Sequence, residues 1–93
     1  MSKHIELTVK YLETEFPGGE VLESYNTDRE AHSFKVDDNG SVYRLRISFE
    51  FLSDHAPDVL EQHLKGKDIA GLMKNPDYDT VTITNHGDLI NQA

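Results

Sequence analysis

Residues 35–55, KVDDNGSVYRLRISFEFLSDH, contain the pattern that decides the fold. Apolar and polar side chains alternate between residues 42 and 51, as expected for a β-strand with one buried face. The apolar positions of this alternation are Tyr43, Leu45, Ile47, Phe49 and Phe51. The dipeptide Asn39-Gly40 comes just before it and is the strongest short signal for a β-hairpin. The stretch therefore predicts a hairpin whose second strand continues to residue 51.

The register of this hairpin follows from the requirement that one face be buried. If the Asn-Gly dipeptide forms a two-residue loop, Val36 lies opposite Tyr43. Two positions further along, Phe34 then lies opposite Leu45, so that apolar residues meet on one face. A three-residue loop would set Phe34 against an arginine and is excluded, whereas a four-residue loop keeps the faces consistent. We favour the two-residue loop because Asn-Gly suits its turn.

A helix is predicted before the strands. The apolar residues that recur there at spacings of four, three and four are Ile5, Val9, Leu12 and Phe16. Such spacing places them on one face of a helix. The segment FPGG then ends the helix, because proline disfavours a helical conformation in the residue before it and glycine permits a turn.

The rest of the chain supplies three more strands and one or two more helices. EVLESYNT and EAHSFKV are rich in strand-forming residues and are separated by the turn-prone segment NTDR. SDHAPDVLEQHLKG predicts a helix capped by Ser53 or Asp54, and DIAGLMKNP predicts a short helix capped by Asp68. DTVTITN predicts a strand with Val81 and Ile83 on one face.

The order of elements is α-β-β-β-α(α)-β, which predicts an α+β fold. Strands with one apolar face need cover, and the amphipathic helices are the available cover. We expect a two-layer sandwich with a mainly antiparallel sheet and the helices packed on one of its faces. In this prediction residues 1–85 form a single domain and residues 86–93 form a flexible C-terminal tail.

The order helix, three strands, helix resembles that of double-stranded-RNA-binding domains. Those domains have a lysine-rich start of the second helix, and here that position reads SDHAPD, which is acidic. The resemblance covers the order of elements only and does not imply RNA binding.

Composition limits the functions that the chain can have. Its 93 residues include 17 acidic and 9 basic residues, so the net charge is −8, which disfavours phosphate backbones and anionic membranes. It has no cysteine for thiol or disulfide chemistry and no apolar run near the ~20 residues of a membrane span. No HExxH or paired Cys/His spacing indicates a metal site. We expect a cytoplasmic protein without cofactor, nucleic-acid partner or membrane contact.

Three cations share the polar face of the predicted sheet, namely Lys35, Arg44 and Arg46. The hairpin register sets Lys35 opposite Arg44, and like charges in direct opposition are mildly unfavourable. One interpretation is a contact site for a carboxylate, a phosphate or another ligand. The other is a solvated lattice of charges with Glu20 opposite Lys35, in which each exposed pair contributes ~0–1 kcal/mol.

A polar cluster is predicted on the apolar face. If NTDR closes as a short loop, Glu23 lies opposite His32, with Tyr25 as a neighbour. A carboxylate that holds an imidazole serves in general-base catalysis and in pH sensing. Because the sequence places no serine or cysteine nucleophile beside it, we favour a histidine that closes the end of the core.

Acidic residues concentrate in two segments without lysine or arginine. Between residues 47 and 64 they are Glu50, Asp54, Asp58 and Glu61, and after residue 75 they include Asp77 and Asp79. Carboxylates near a helix start also favour its dipole, which explains part of the pattern. The two segments come together if the last strand joins the sheet beside the third.

These features predict a small acidic non-enzymatic protein-binding or regulatory domain that uses its acidic surface. Its partner is then a protein with a basic surface or a second copy of the chain. One alternative is an acidic inhibitor, a nucleic-acid mimic or an immunity-type protein that occupies a basic groove. A second alternative is a small ligand-binding or enzymatic domain that uses Glu23, His32 and Tyr25.

Overall fold

The computed structural model describes the backbone of residues 2–27 and 30–92 and the side chains of these residues except 2, 91 and 92. Its elements are α1 (Ser2–Glu15), β1 (Glu20–Asn26), β2 (Ala31–Asp38), β3 (Ser41–Ser48), α2 (Phe49–Asp54), α3 (Pro57–Gly66), α4 (Ile69–Lys74), β4 (Thr80–Ile83) and β5 (Leu89–Gln92). The five strands form one sheet in the order β1-β2-β3-β4-β5. All neighbours are antiparallel except β3 and β4, which are parallel and are joined through three helices, since a parallel pair needs a long crossover connection. The predicted α+β class and mainly antiparallel sheet are confirmed, and none of the described helices has the length and apolar character needed to cross a membrane.

The central hairpin has the predicted register. The observed pairs include Val36 with Tyr43 and Phe34 with Leu45. Asn39 and Gly40 form a two-residue loop with φ of 53° and 87°. Positive φ at both loop positions is what a type I′ turn requires, and Asn-Gly adopts it with little strain.

The register between β1 and β2 differs from the prediction by two positions. Glu23 pairs with Phe34, and His32 pairs with Tyr25. β1 continues to Asn26, which pairs with Ala31, so the paired strands end one position later than predicted. Glu30 adopts a left-handed φ of 47°, and residues 28 and 29 lie outside the described residues. A shift of two positions keeps every side chain on its predicted face.

β3 ends at Ser48, three residues before the predicted end of the strand. The following residues form α2, in which Phe51 and Leu52 are both buried. Successive residues of a strand point to opposite faces, so a strand could bury only one of these two side chains on the core side. A helical turn buries both, which explains why the alternating pattern does not continue as a strand.

Of the predicted helix caps, Asp68 is confirmed. Its side chain accepts a hydrogen bond from the Gly71 backbone N–H at 3.3 Å at the start of α4. Ser53 and Asp54 instead belong to α2, and α3 begins at Pro57 without a side-chain cap. Proline is suited to this position because it has no N–H that needs a partner.

The core lies between the helices and one face of the sheet. The sheet contributes Phe34, Val36, Leu45, Ile47, Val81 and Ile83, and the helices contribute Tyr11, Leu12, Phe51, Leu52, Leu60, Leu64, Ile69, Ala70 and Met73. The buried face of α1 is rotated from the prediction, since Thr8 is fully buried while Ile5 and Val9 are only partly buried. The Thr8 hydroxyl donates to the His4 carbonyl at 2.8 Å, which satisfies it inside the core.

The C-terminal segment is a strand where the sequence predicted a flexible tail over residues 86–93. Leu89–Gln92 pairs antiparallel with β4, and Leu89 packs against the core. The turn before it is closed by the Thr84 N–H and the Asp88 carbonyl at 2.9 Å. All four residues of β4 are buried, so their backbone groups need a partner on each side, and β5 supplies one. Ala93 lies outside the described residues.

Candidate functional site

The face of the sheet that points away from the helices is here called the outer face. On the first three strands it carries Leu22, Ser24, Ser33, Lys35, Val42, Arg44 and Arg46, and on the last two it carries Thr80, Thr82 and Ile90. Most of the side chains on the first three strands are exposed. The predicted cations therefore lie at the centre of an accessible surface.

The three cations keep the arrangement that the hairpin register predicts. Lys35 and Arg44 lie directly opposite each other, and Arg46 lies two residues further along β3. The predicted lattice of acids is not formed, because Leu22 takes the position opposite Lys35 that was assigned to Glu20. Within the described residues, no carboxylate comes within 4.0 Å of the Lys35 ammonium or the Arg44 guanidinium.

Two shallow depressions on the outer face meet at Arg46. The first, of about 410 Å³, is lined by Leu22, Ser24, Ser33, Lys35, Arg44 and Arg46 among others. The second, of about 380 Å³, is lined by Arg46, Ser48, Thr82, Asn85, His86 and Ile90 among others. Leu22 and Ile90 are 50% and 38% exposed. This surface can hold an anionic group through charge-assisted hydrogen bonds and contact apolar groups on both sides of it.

The predicted polar cluster is also formed, through a different strand register. His32 Nε2 contacts Glu23 Oε2, and the rings of Tyr25 and His32 have centroids 6.3 Å apart. The His32 side chain is 13% exposed and that of Glu23 is 44% exposed. In the described part of the chain, no hydroxyl side chain hydrogen-bonds to either partner. The contact orients His32 at the edge of the core, beside the Phe34 ring.

The predicted acidic residues gather only in part. We call the exposed carboxylates at one end of the sheet the acidic end, which consists of Glu50, Asp54, Asp58 and Asp88. The first three follow the end of β3 on α2 and α3. Asp88 reaches the same end because β4 runs parallel to β3, and because Ser48 at the end of β3 contacts Asn85 in the turn after β4.

The other predicted acids lie elsewhere. Asp77 and Asp79 come before β4, at the opposite end of the sheet, and four strand residues separate them from the acidic end, about 13 Å along the strand. Glu61 forms an ion pair with Lys65 at 3.5 Å. Both line a groove of about 550 Å³ between α1 and α3 that also contains Lys3, Lys10, Glu6 and Glu15. This groove has charges of both signs, so its charge favours neither a basic nor an acidic partner.

Two histidines that the sequence pattern assigns to no site contact the Phe51 ring, and a third contacts the backbone of one of them. The Phe51 ring stacks on His55 with centroids 4.1 Å apart and contacts His63 with centroids 5.1 Å apart. His4 Nε2 lies 2.6 Å from the His55 carbonyl oxygen. A Cβ at Gly87, where φ is +83°, would come within 3.1 Å of the Phe51 ring, so the turn before β5 packs closely on this group. Because His4 lies on α1, His55 follows the end of α2 and His63 lies on α3, their spacing in the sequence gives no signal.

His63 lies in an environment that lowers its pKa. Burial lowers the pKa of His63, and the Lys67 ammonium and the His55 ring lower it further, while the nearby Gly87 backbone acts in the opposite direction. Among the described residues, no three histidine, aspartate or glutamate side chains are placed to hold a metal ion.

The Tyr11 hydroxyl joins three helices. It donates to the Leu64 carbonyl at 3.2 Å and accepts from the Ala70 N–H at 3.1 Å, which connects α1 to α3 and α4. Burial raises the pKa of Tyr11, opposed by the bond from Ala70 and assisted by two nearby carboxylates. The bond that Tyr11 donates to Leu64 needs a neutral hydroxyl, and we assign this group a structural role.

Comparison of the chain with protein-family models, with curated proteins and with solved structures finds no match in any of the three. The surfaces of the domain therefore carry the information about its function. Two of them carry charge of one sign, the acidic end and the centre of the outer face.

Proposed function

We propose that the chain is a small non-enzymatic protein-binding domain and that its acidic end contacts a partner with a basic surface. The observation that carries this proposal is a group of four exposed carboxylates at one end of the sheet, supplied by two segments that contain no lysine or arginine. The net charge of −8 adds a long-range field of the same sign. Such a field favours encounter with basic proteins and disfavours nucleic acids and anionic membranes.

The packing behind the acidic end supports the proposal. Ser48 contacts Asn85, and the turn before β5 packs on the Phe51 ring at Gly87. These contacts hold the turn that carries Asp88 against the helices that carry the other carboxylates. A surface that is already ordered loses less conformational entropy when it binds.

An acidic inhibitor or nucleic-acid mimic is the second candidate, and the same charge favours it. A mimic needs carboxylates in extended rows that follow phosphate positions. Asp77 and Asp79 are displaced by about 13 Å along β4, and Glu61 forms an ion pair with Lys65 in a groove that has charges of both signs. Binding to a basic protein surface needs only the acidic end, so we favour the first candidate. We further propose a reducing, cytoplasmic location, which suits a chain without cysteine.

Quantitative capture from a cell lysate with matched variants tests the proposal. The variant Glu50→Lys/Asp54→Lys changes the acidic end, and Glu6→Lys/Glu13→Lys makes the same change in net charge at exposed positions of α1. We expect the wild type and the α1 variant to retain basic proteins from the lysate. The acidic-end variant should not retain them. Equal retention by all three proteins would contradict the proposal.

Association kinetics with a captured partner give a second readout. Charge attraction over distance weakens with salt, because the Debye length falls from ~10 Å at 0.1 M to ~3 Å at 1 M. We expect the association rate of the wild type to fall as salt rises. At low salt, the Glu50→Lys/Asp54→Lys variant should associate more slowly than the α1 variant, because it removes the charges that attract the partner. A rate that does not respond to salt would show that the acidity only keeps the domain soluble.

A further inference from the structure

We propose that the outer face is a second binding site and that it takes an extended, acidic peptide segment of a partner protein. The inference does not depend on the acidic end, because it concerns a different surface and the opposite charge. It rests on the charge, the spacing and the flanks of the outer face.

Lys35 and Arg44 supply the charge of this site. The two cations are directly opposed, and within the described residues no carboxylate comes within 4.0 Å of either charged group. Direct opposition of like charges costs stability in the free protein. A carboxylate bound between them removes this repulsion and gains charge-assisted hydrogen bonds. Local conflicts of this kind are expected at functional sites.

The distance between Arg44 and Arg46 suits an extended peptide. Arg44 and Arg46 are two residues apart on β3, so their Cβ atoms are about 7 Å apart on the same face. Alternate side chains of an extended peptide have the same separation. A peptide that lies along β3 therefore brings one acidic side chain to Lys35 and Arg44. The acidic side chain two residues further along the peptide then reaches Arg46.

The flanks of the outer face fit a peptide better than a nucleic acid. Leu22 on β1 and Ile90 on β5 each lie two strands from β3, about 10 Å to either side, and can contact apolar side chains of the peptide. At one end of the outer face, the acidic residues Glu20 and Asp37 lie opposite each other on β1 and β2. A continuous phosphate backbone would pass close to these carboxylates, whereas a peptide with two or three acids stops short of them.

An NMR titration of the isotope-labelled chain provides the test. The probe is a short capped peptide in which Glu and Val alternate, and its counterpart replaces each Glu with Lys. We expect the Glu peptide to shift the amide resonances of residues 33–35 and 44–46, while the Lys peptide leaves them unchanged. Absence of these shifts at millimolar peptide would overturn the proposal. Stronger shifts of the same amides with oligothymidylate would also overturn it, in favour of a nucleic acid.

Charge-matched variants sharpen the test. Arg44→Glu should weaken binding of the Glu peptide about tenfold or more, which corresponds to about 1.4 kcal/mol, and Lys10→Glu on α1 should not. Arg44→Gln gives a milder loss and serves if the reversed variant folds poorly. Lys35→Glu should weaken binding and yet raise the midpoint of urea unfolding, because it replaces a like-charge pair with an opposite pair. Equal loss in Lys10→Glu, or a dimer of the wild type that Arg44→Glu dissociates, would contradict a peptide site.

Discussion

The covered face and the outer face of the sheet divide stability and binding between alternate residues of the same strands. On β3, Leu45 is 1% exposed in the core, while its neighbour Arg44 is exposed on the outer face. Burial of large apolar side chains stabilises the fold by kilocalories per residue, whereas exposed polar positions contribute tenths. A substitution on the covered face should therefore change stability and leave binding nearly unchanged. A substitution on the outer face should do the opposite.

The largest effect is expected on the covered face at Leu45. Leu45→Ala should lower the free energy of unfolding by ~2–5 kcal/mol, because it removes apolar contacts and leaves a cavity. Val42→Ala is the matched control, since Val42 lies on the same strand, points to the outer face and is 38% exposed. Urea unfolding measures both variants. A loss below ~1 kcal/mol at Leu45 would mean that the faces are assigned incorrectly.

A smaller effect is expected where the covered side contains a polar group. Tyr11→Phe leaves the Ala70 N–H without its acceptor and should cost ~1–3 kcal/mol. Tyr78→Phe is the control, because Tyr78 is also partly buried and its hydroxyl makes no hydrogen bond within the described residues. If both variants lose the same stability, the hydroxyl of Tyr11 does not join the helices as described.

The pH dependence of stability tests the histidine group near the acidic end. Because the pKa of His63 is lowered in the folded state, the unfolded chain binds this proton more readily. Stability should therefore fall as pH decreases from about 6.5, the ordinary imidazole pKa, toward the lower pKa of folded His63. His63→Gln should reduce this fall, and His86→Gln, at an exposed turn position, should keep it. Urea unfolding between pH 7 and pH 5 gives the slopes, and equal slopes in the wild type and His63→Gln would exclude His63 as the cause.

The smallest effect is expected for the contact between Glu23, on the edge strand β1, and His32. A double-mutant cycle with Glu23→Gln and His32→Gln should give a coupling of ~0.2–1 kcal/mol, because the carboxylate is 44% exposed and the pair is partly screened. A coupling of zero would show that the two side chains do not interact in solution. It would also remove the structural basis for a catalytic or ligand-binding role of this cluster.

Features of the fold that depend on local sequence were predictable. The turn at Asn39 and Gly40 fixes the register of β2 and β3, and with it the opposition of Lys35 and Arg44 on the outer face. The cap at Asp68 is likewise determined by residues within one turn of it. In each case the chemistry of a few adjacent residues selects the conformation.

Features that depend on distant partners were not predictable. The strand β5 is weakly apolar and forms because β4 is buried and needs a second partner. The start of α2 depends on burial of Phe51 and Leu52 together. Asp88 reaches the acidic end, and Asp77 and Asp79 do not, because β4 runs parallel to β3, which a single sequence does not reveal.

The most direct test of the division between faces uses the absence of cysteine in the chain. A single introduced thiol then reports on its own position, and Arg44→Cys and Leu45→Cys place it at neighbouring residues on opposite faces. We expect the thiol of Arg44→Cys to react with a disulfide reagent as fast as in the unfolded chain. The thiol of Leu45→Cys should react at least about 100-fold more slowly, because the reagent reaches it only when the chain unfolds. Equal rates for the two variants would contradict a sheet with one covered face and one open face.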